Sequence, residues 1–239
     1  MEKRQFTVSD VARTLHQPEK KIQKMADSGA LSGSKIQGKW FFSKADIVLW
    51  LERNLTDGKT DDYLDTMEEF AQDVEQTPTG DEEIVISQLL ERGTILIPFT
   101  AKTKESVIRD LTKTGADLGL IWDPDRMADA LRKREEMIST AMENGVALLH
   151  PRRPMPDNIA DSFLLMGISL RGIPFGGGFN NLTDIFFLIG ALDDKTHLQT
   201  LAGIGKILSS PDFLPTLREL ETPSEILDLI QSTEKKLSK

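Results

Sequence analysis

The run Ile185-Phe-Phe-Leu-Ile-Gly-Ala-Leu192 is apolar at successive positions rather than at every second one. Neighbouring side chains of a strand point to opposite faces, so such a run needs cover on both sides, as a central strand has. The rest of this half alternates strand and helix signals. Thr94 to Phe99 reads as a strand or extended run, and Val146–Leu149 and Phe163–Ser169 read as buried strands. Thr103 caps a helix with Val107, Ile108 and Leu111 inside, and Asp123-Pro124 starts another through Met127, Ala130 and Leu131. A helix from His197 through Leu201, Ile204 and Leu208 follows, and Pro223 to Ile230 supplies a closing one. Helices interleaved with strands imply an α/β fold, a three-layer α/β/α sandwich around a mixed sheet.

Charge divides the 239 residues into three parts. Residues 1–53 carry a net +4, residues 54–83 carry −10, and residues 84–239 carry −3. The expected organisation is therefore a basic head (1–53), an acidic linker (54–83) and a mildly acidic body (84–239). There is no cysteine, which excludes disulfides, thiolate metal sites and cysteine catalysis. No apolar run approaches the ~20 residues of a membrane helix. Met-Glu-Lys-Arg-Gln-Phe lacks the apolar stretch of a signal peptide, so a cytoplasmic location is expected.

In the head, Thr7 and Ser9 are N-cap candidates for a helix carrying Val8, Val11, Ala12 and Leu15 at helical spacing. After a break at His16-Gln17, Pro18 suits the first turn of a second helix that Gly29 ends. Ile22, Met25 and Ala26 form its inner face, with Lys20, Lys21 and Lys24 toward another. Ser34 to Phe42 reads as a hairpin around Gly38, and Ser43 caps a third helix, Lys44 to Leu51, with Ile47, Trp50 and Leu51 inward. Two helices, a wing and a closing helix make a small winged helix-turn-helix.

Phe6-Thr-Val-Ser-Asp-Val-Ala, Gly29-Ala-Leu, Gly38-Lys-Trp-Phe-Phe and Ser43-Lys-Ala-Asp-Ile-Val-Leu-Trp-Leu resemble the excisionase-type helix-turn-helix, a relative of the MerR head. The resemblance covers about residues 5–53. It implies DNA binding through the second helix in the major groove, with Lys20, Lys21 and Lys24 meeting DNA and Lys35 and Lys39 helping from the wing. Lysines on phosphates supply affinity rather than sequence choice. The plainer reading is a solvated basic face on a protein-docking module. His16 reads as structural or exposed.

The acidic connector has two readings. Asp-Gly and Thr-Pro-Thr-Gly are linker signals. Yet Tyr63, Leu64, Met67, Phe70 and Val74 recur at helical spacing, which suits an amphipathic helix from about Asp61 to Glu75. Such a helix could dock on either domain or pair with a second copy of the chain, making a dimer.

Chemistry concentrates on His150, one of three histidines, which ends the strand-like run Val146 to Leu149 and is followed by Pro151, Arg152 and Arg153. An imidazole nitrogen can act as a nucleophile, and neighbouring arginines favour an anion such as phosphate. A packed histidine at a strand end is the alternative. Gly176-Gly-Gly178 has no following Lys-Ser/Thr and reads as a mobile hairpin or surface loop rather than a phosphate loop. Asp123/Asp125 and Asp193/Asp194 read as caps and turns, so no metal and no cofactor is expected.

Arg134-Glu-Glu-Met, Ser139-Thr140, Asn144-Gly-Val-Ala-Leu, His150-Pro-Arg and Asp193-Asp-Lys-Thr-His197-Leu-Gln-Thr-Leu-Ala resemble enzyme IIA of the mannitol/fructose class of the sugar phosphotransferase system, including its nitrogen-regulatory branch. The resemblance covers about residues 84–234. It implies that His150 accepts a phosphoryl group from the phosphohistidine of HPr. Arg134 would hold the phosphoryl oxygens, His197 would orient His150 or donate to them, and Arg152 would be a further phosphate ligand, with Arg153 an outer guide for the donor. Such transfer asks mainly for positioning and positive charge. Three functions are then open: a regulator that couples phosphorylation to DNA binding, a phosphocarrier feeding a separate IIB subunit, and a non-catalytic interaction protein with the same fold.

Overall fold

The computed structural model describes residues 5–56, 61–74, 84–176 and 182–237. The head begins with β1 (Phe6–Thr7), α1 (Val8–Thr14) and α2 (Glu19–Asp27), followed by β2 (Ser34–Ile36), β3 (Lys39–Phe42) and α3 (Lys44–Thr56). Thr7 caps α1 by accepting from the Asp10 amide, while the Asp10 carboxylate accepts from Thr7 N. The β2–β3 hairpin turns through Gln37 and Gly38 at φ 48° and 82°, the two positive values a two-residue hairpin loop needs. The three strands lie in the order β1-β3-β2.

The third helix is longer than its sequence pattern suggests. It continues past Leu51 to Thr56 because Glu52, Asn54 and Leu55 are also buried. The Asn54 amide turns back to donate to Trp50 O at 2.7 Å.

Helix α4 (Asp61–Val74) confirms the amphipathic pattern in the acidic stretch. Leu64, Met67, Phe70 and Ala71 are buried. Among the described residues it joins head to body. Phe70 packs on Phe6 at a centroid distance of 6.0 Å, and Tyr63 packs on Trp50 at 5.5 Å. On the body side, α4 lies along α8 (Asp194–Leu208). Close approach there depends on Gly205, where a Cβ would come within 2.5 Å of Leu64 and 3.0 Å of Leu55. Lys206 pairs with Glu68 at 2.7 Å.

The body contains α5 (Ile86–Arg92), β4 (Thr94–Leu96), α6 (Lys104–Asp117), α7 (Pro124–Met137), β5 (Val146–Leu149), β6 (Phe163–Pro174), β7 (Leu182–Gly190), α8, α9 (Phe213–Leu217) and α10 (Pro223–Leu237). Thr103 and Asp123 cap α6 and α7 as their sequence positions suggest. The sheet order is β4-β6-β7-β5, with β6 and β7 antiparallel and the outer strands parallel to their neighbours. The apolar run of residues 185–192 is thus mainly an interior strand.

Alternate residues of these strands feed two cores. Ala147, Leu149, Leu165, Phe186 and Leu188 pack with Val107, Ile108, Leu111, Met127 and Leu131 of α6 and α7. Val146, Leu148, Met166, Ile185 and Phe187 pack with Leu198, Leu201 and Ile204 of α8, and that core continues into α4 and the head. This is the mixed three-layer sandwich preceded by a helix-turn-helix with a small sheet. Ala128, rather than Ala130, is the buried alanine of α7. Gly177 and Gly178 lie outside the described residues, so the glycine-run reading is carried no further. No helix among the described residues is long and apolar enough to cross a membrane.

Candidate active site

Three body elements and one head element meet at a buried cluster. Arg134 comes from the last turn of α7, His150 from the end of β5, and His197 from the first turn of α8, just after the N-cap Asp193. Glu52 comes from α3 of the head. Their exposures are 2%, 2%, 4% and 3% respectively, so all four are sealed from water. The sequence pattern brings Arg134, His150 and His197 together as expected; Glu52 is the member it missed.

His150 is held in a defined tautomer. Its Nδ1 lies 2.8 Å from Leu148 O, and a carbonyl can only accept, so Nδ1 carries the proton. Nε2 is then the nitrogen with the free lone pair. Arg134 Nε donates to it at 3.2 Å. Burial pushes the His150 imidazole below its usual pKa; Glu52 pulls it back up, while His197 and the Arg134 charge add to the depression. This depression favours the neutral imidazole, the form that can attack phosphorus.

Arg134 engages each of its three nitrogens. Besides Nε, its Nη1 donates to Ile138 O at 2.8 Å and its Nη2 donates to Glu52 Oε2 at 2.8 Å. The loop that presents Ile138 O is itself pinned by buried Glu135, which accepts from Thr140 N at 2.9 Å and from the Thr140 hydroxyl. Thr140 O in turn accepts from Leu148 N at 3.2 Å, tying that loop to the strand that ends in His150.

Glu52 closes the ring. Its Oε1 accepts from His197 Nε2 at 3.0 Å and lies 3.2 Å from His150 Nε2. Burial alone would raise this carboxyl, but the two histidines that face it outweigh burial and hold the group well below its usual pKa. The two imidazole rings lie 4.8 Å apart and are tilted by 57°. Glu52, His150 and His197 also place one ligand atom each within 4.8 Å of one another, the spacing a metal would need. Arg134 already donates to both the Glu52 carboxylate and the His150 lone pair, so the donor set suits an anion beside a nucleophilic nitrogen better than a cation.

Arg152 and Arg153 lie exposed on the turn after β5, outside the buried cluster. In the head, Lys20, Lys21, Lys24, Lys35 and Lys39 are all exposed. Lys35 sits 5.3 Å from the centre of the Trp40 ring and 3.6 Å from Asp27. His16 is exposed, with φ 48° and its Nε2 2.6 Å from Glu69 of α4.

The family model for the phosphoenolpyruvate-dependent sugar phosphotransferase system, EIIA 2, matches residues 88–233, the whole sheet and its helices. The chain belongs to this family. A helix-turn-helix model matches residues 6–55, the head almost to the end of α3. The EIIA part is 27% identical over 152 residues to the fructose-specific EIIABC component of Bacillus subtilis, covering 63% of this chain but only 24% of that one. The chain thus spans about a quarter of the length of that relative. It is 26% identical over 160 residues to the nitrogen regulatory protein of Escherichia coli, covering 65% of this chain and 94% of that one. The crystal structure of the mannitol IIA of Escherichia coli superposes with a TM-score of 0.51 at 20% identity, over 57% of this chain and 94% of its own, which supports the fold.

Proposed function

We propose that this EIIA protein accepts a phosphoryl group on His150 Nε2 from the phosphohistidine of HPr and uses it as a signal to a DNA-binding head. The observation that carries the reading is the pinned tautomer: Nδ1 is tied to Leu148 O, and Nε2 faces Arg134 and the neighbourhood of His197. In the transfer, the nitrogen–phosphorus bond of the donor breaks, its electron pair returns to the donor imidazole, and the Nε2–phosphorus bond forms without water. Arg134 supplies charge and a planar donor set for the phosphoryl oxygens, and His197 Nε2–H supplies another donor. The exposed Arg152 guides the incoming phosphoryl group, with Arg153 further out.

The division into a head of residues 1–53, a connector of 54–83 and an EIIA body of 84–239 belongs to this proposal, as does binding of DNA phosphates by Lys20, Lys21, Lys24, Lys35 and Lys39. Regulation rather than sugar uptake is favoured because a head of helix-turn-helix type is built directly onto the EIIA pocket through Glu52. The nitrogen-regulatory branch is the relative whose length the EIIA part matches more fully of the two compared by sequence. The test is incubation of the purified chain with phosphoenolpyruvate, enzyme I and HPr. Acid-labile phosphate should appear on the wild type and be absent from His150→Ala. Labelling of both proteins, or of neither, contradicts the proposal.

A further inference from the structure

We infer that helix α3 is an internal occupant of the phosphoryl pocket, with the Glu52 carboxylate standing where the phosphoryl group must go. The inference rests on His150 being the phosphoryl acceptor. A phosphorus bonded to Nε2 must lie well inside the 3.2 Å that separates Nε2 from Glu52 Oε1. Carboxylate and phosphoryl group therefore cannot share the pocket. Both are anions with oxygen acceptors, and Glu52 draws on the donors a phosphoryl group would use, Arg134 Nη2 at 2.8 Å and His197 Nε2 at 3.0 Å.

The surface around His150 is thus an interaction surface already taken by this chain's own head. Glu52 is the polar anchor. Lys44, at the start of α3, pairs with Asp194 of α8 at 2.7 Å, beside the turn that carries His197. Leu55, one turn beyond Glu52, is buried near Gly205 of α8. A donor protein seated on the same face must compete with α3. Once His150 is phosphorylated, the new negative charge faces the Glu52 carboxylate in a site sealed from solvent, and α3 is driven out. Among the described residues, α4 still ties the head to α8. Because Lys20, Lys21 and Lys24 are exposed while α3 is docked, release alters how the head is held rather than uncovering these lysines.

The test uses the full chain as wild type, Glu52→Ala, Glu52→Gln and His150→Ala. Phosphorylation by phosphoenolpyruvate, enzyme I and HPr is timed, and amide hydrogen exchange of residues 44–56 is measured before and after. Glu52→Ala should be phosphorylated at least about tenfold faster than wild type, which converts to about 1.4 kcal/mol, with Glu52→Gln in between. In wild type, phosphorylation should raise exchange in α3 about tenfold or more, and His150→Ala should show no rise. If Glu52→Ala fails to fold, the exchange change in wild type alone decides. Labelling of wild type and Glu52→Ala at equal rates, with α3 protection unchanged by phosphorylation, overturns the inference and leaves His150 as acceptor. No labelling of any variant overturns the acceptor reading itself, and this inference with it.

Discussion

The pocket around His150 and the lysine face of α2 both carry cationic side chains, and they are built in opposite ways. In the pocket, the polar side chains have fixed partners. Arg134 spends three N–H groups on three different elements, and His150 is oriented by its own strand. On α2, Lys20, Lys21 and Lys24 are exposed, and Lys21 is drawn to Gln17 at 2.7 Å. The first arrangement selects geometry, because a dry site rewards only groups at the right positions. The second selects charge, because mobile ammonium groups in water attract phosphates with little preference for detail. On the proposed function, chemistry belongs to the pocket and non-specific affinity to the helix face, and substitutions should separate the two.

The largest effect is expected at Arg134. Arg134→Ala leaves Glu52 buried without its cation and should destabilise the chain by about 3–5 kcal/mol, seen in denaturant unfolding. In whatever fraction stays folded, phosphorylation should slow by about 100- to 1,000-fold. Unchanged stability would show that the buried pair is not a real constraint. Next is His197→Ala, which removes one donor to Glu52 and should cost about 1–3 kcal/mol while slowing transfer less than Arg134→Ala. If His197→Ala were the worse variant for transfer, the roles assigned to the two side chains would be reversed.

Acid should separate the pocket from the lysine face more gently. The folded His150 pKa lies below the usual value near 6.5, so the folded state binds fewer protons than the unfolded chain there. Stability from this group is complete above about pH 6.5 and is lost as pH falls below it toward the folded value. Glu52, also held below its usual value near 4.3, adds a second loss of the same sign at lower pH. Urea unfolding at pH 7.5 and 5.5 should show wild type weakening on acidification, and His150→Gln should flatten that step. A wild type that gains stability on acidification would contradict the sign. The smallest effect on the fold belongs to Lys20→Ala/Lys21→Ala/Lys24→Ala, which should change stability by less than about 0.5 kcal/mol. The same triple variant should lower the salt dependence of DNA binding, by about 0.9 in log–log slope for each phosphate these lysines neutralise. An unchanged slope would show that these lysines do not meet DNA.

Much of the fold is legible because it is written in local periodicity. The residues 185–192 run, the Thr103 and Asp123 caps and the apolar stripe of α4 each depend on neighbours within a few positions. Helices α5 and α9 leave weaker signals, being only 7 and 5 residues long. Strand β6 also runs beyond its apolar stretch to Pro174, across a register shift between Ile168 and Ile173. Arg134, His150 and His197 are found through motif spacing. Glu52 is not, because its partner His197 is 145 residues away and the periodicity of its helix points to an end at Leu51. A signal is nonetheless present. Val48, Leu51 and Leu55 form a buried stripe at spacings of three and four, and Glu52 lies on that side of the helix. An acid on an apolar stripe must find a buried partner, and here the partner is the His150 pocket.

The central claim is that His150 Nε2 is the phosphoryl acceptor, with its tautomer set by Leu148. Phosphorus and nitrogen-15 magnetic resonance of the full chain, treated with phosphoenolpyruvate, enzyme I and HPr, tests it most directly. The account predicts one phosphohistidine signal, bonded through Nε2 and absent from His150→Ala. A phosphate bonded through Nδ1, one carried by His197, or none at all would contradict it.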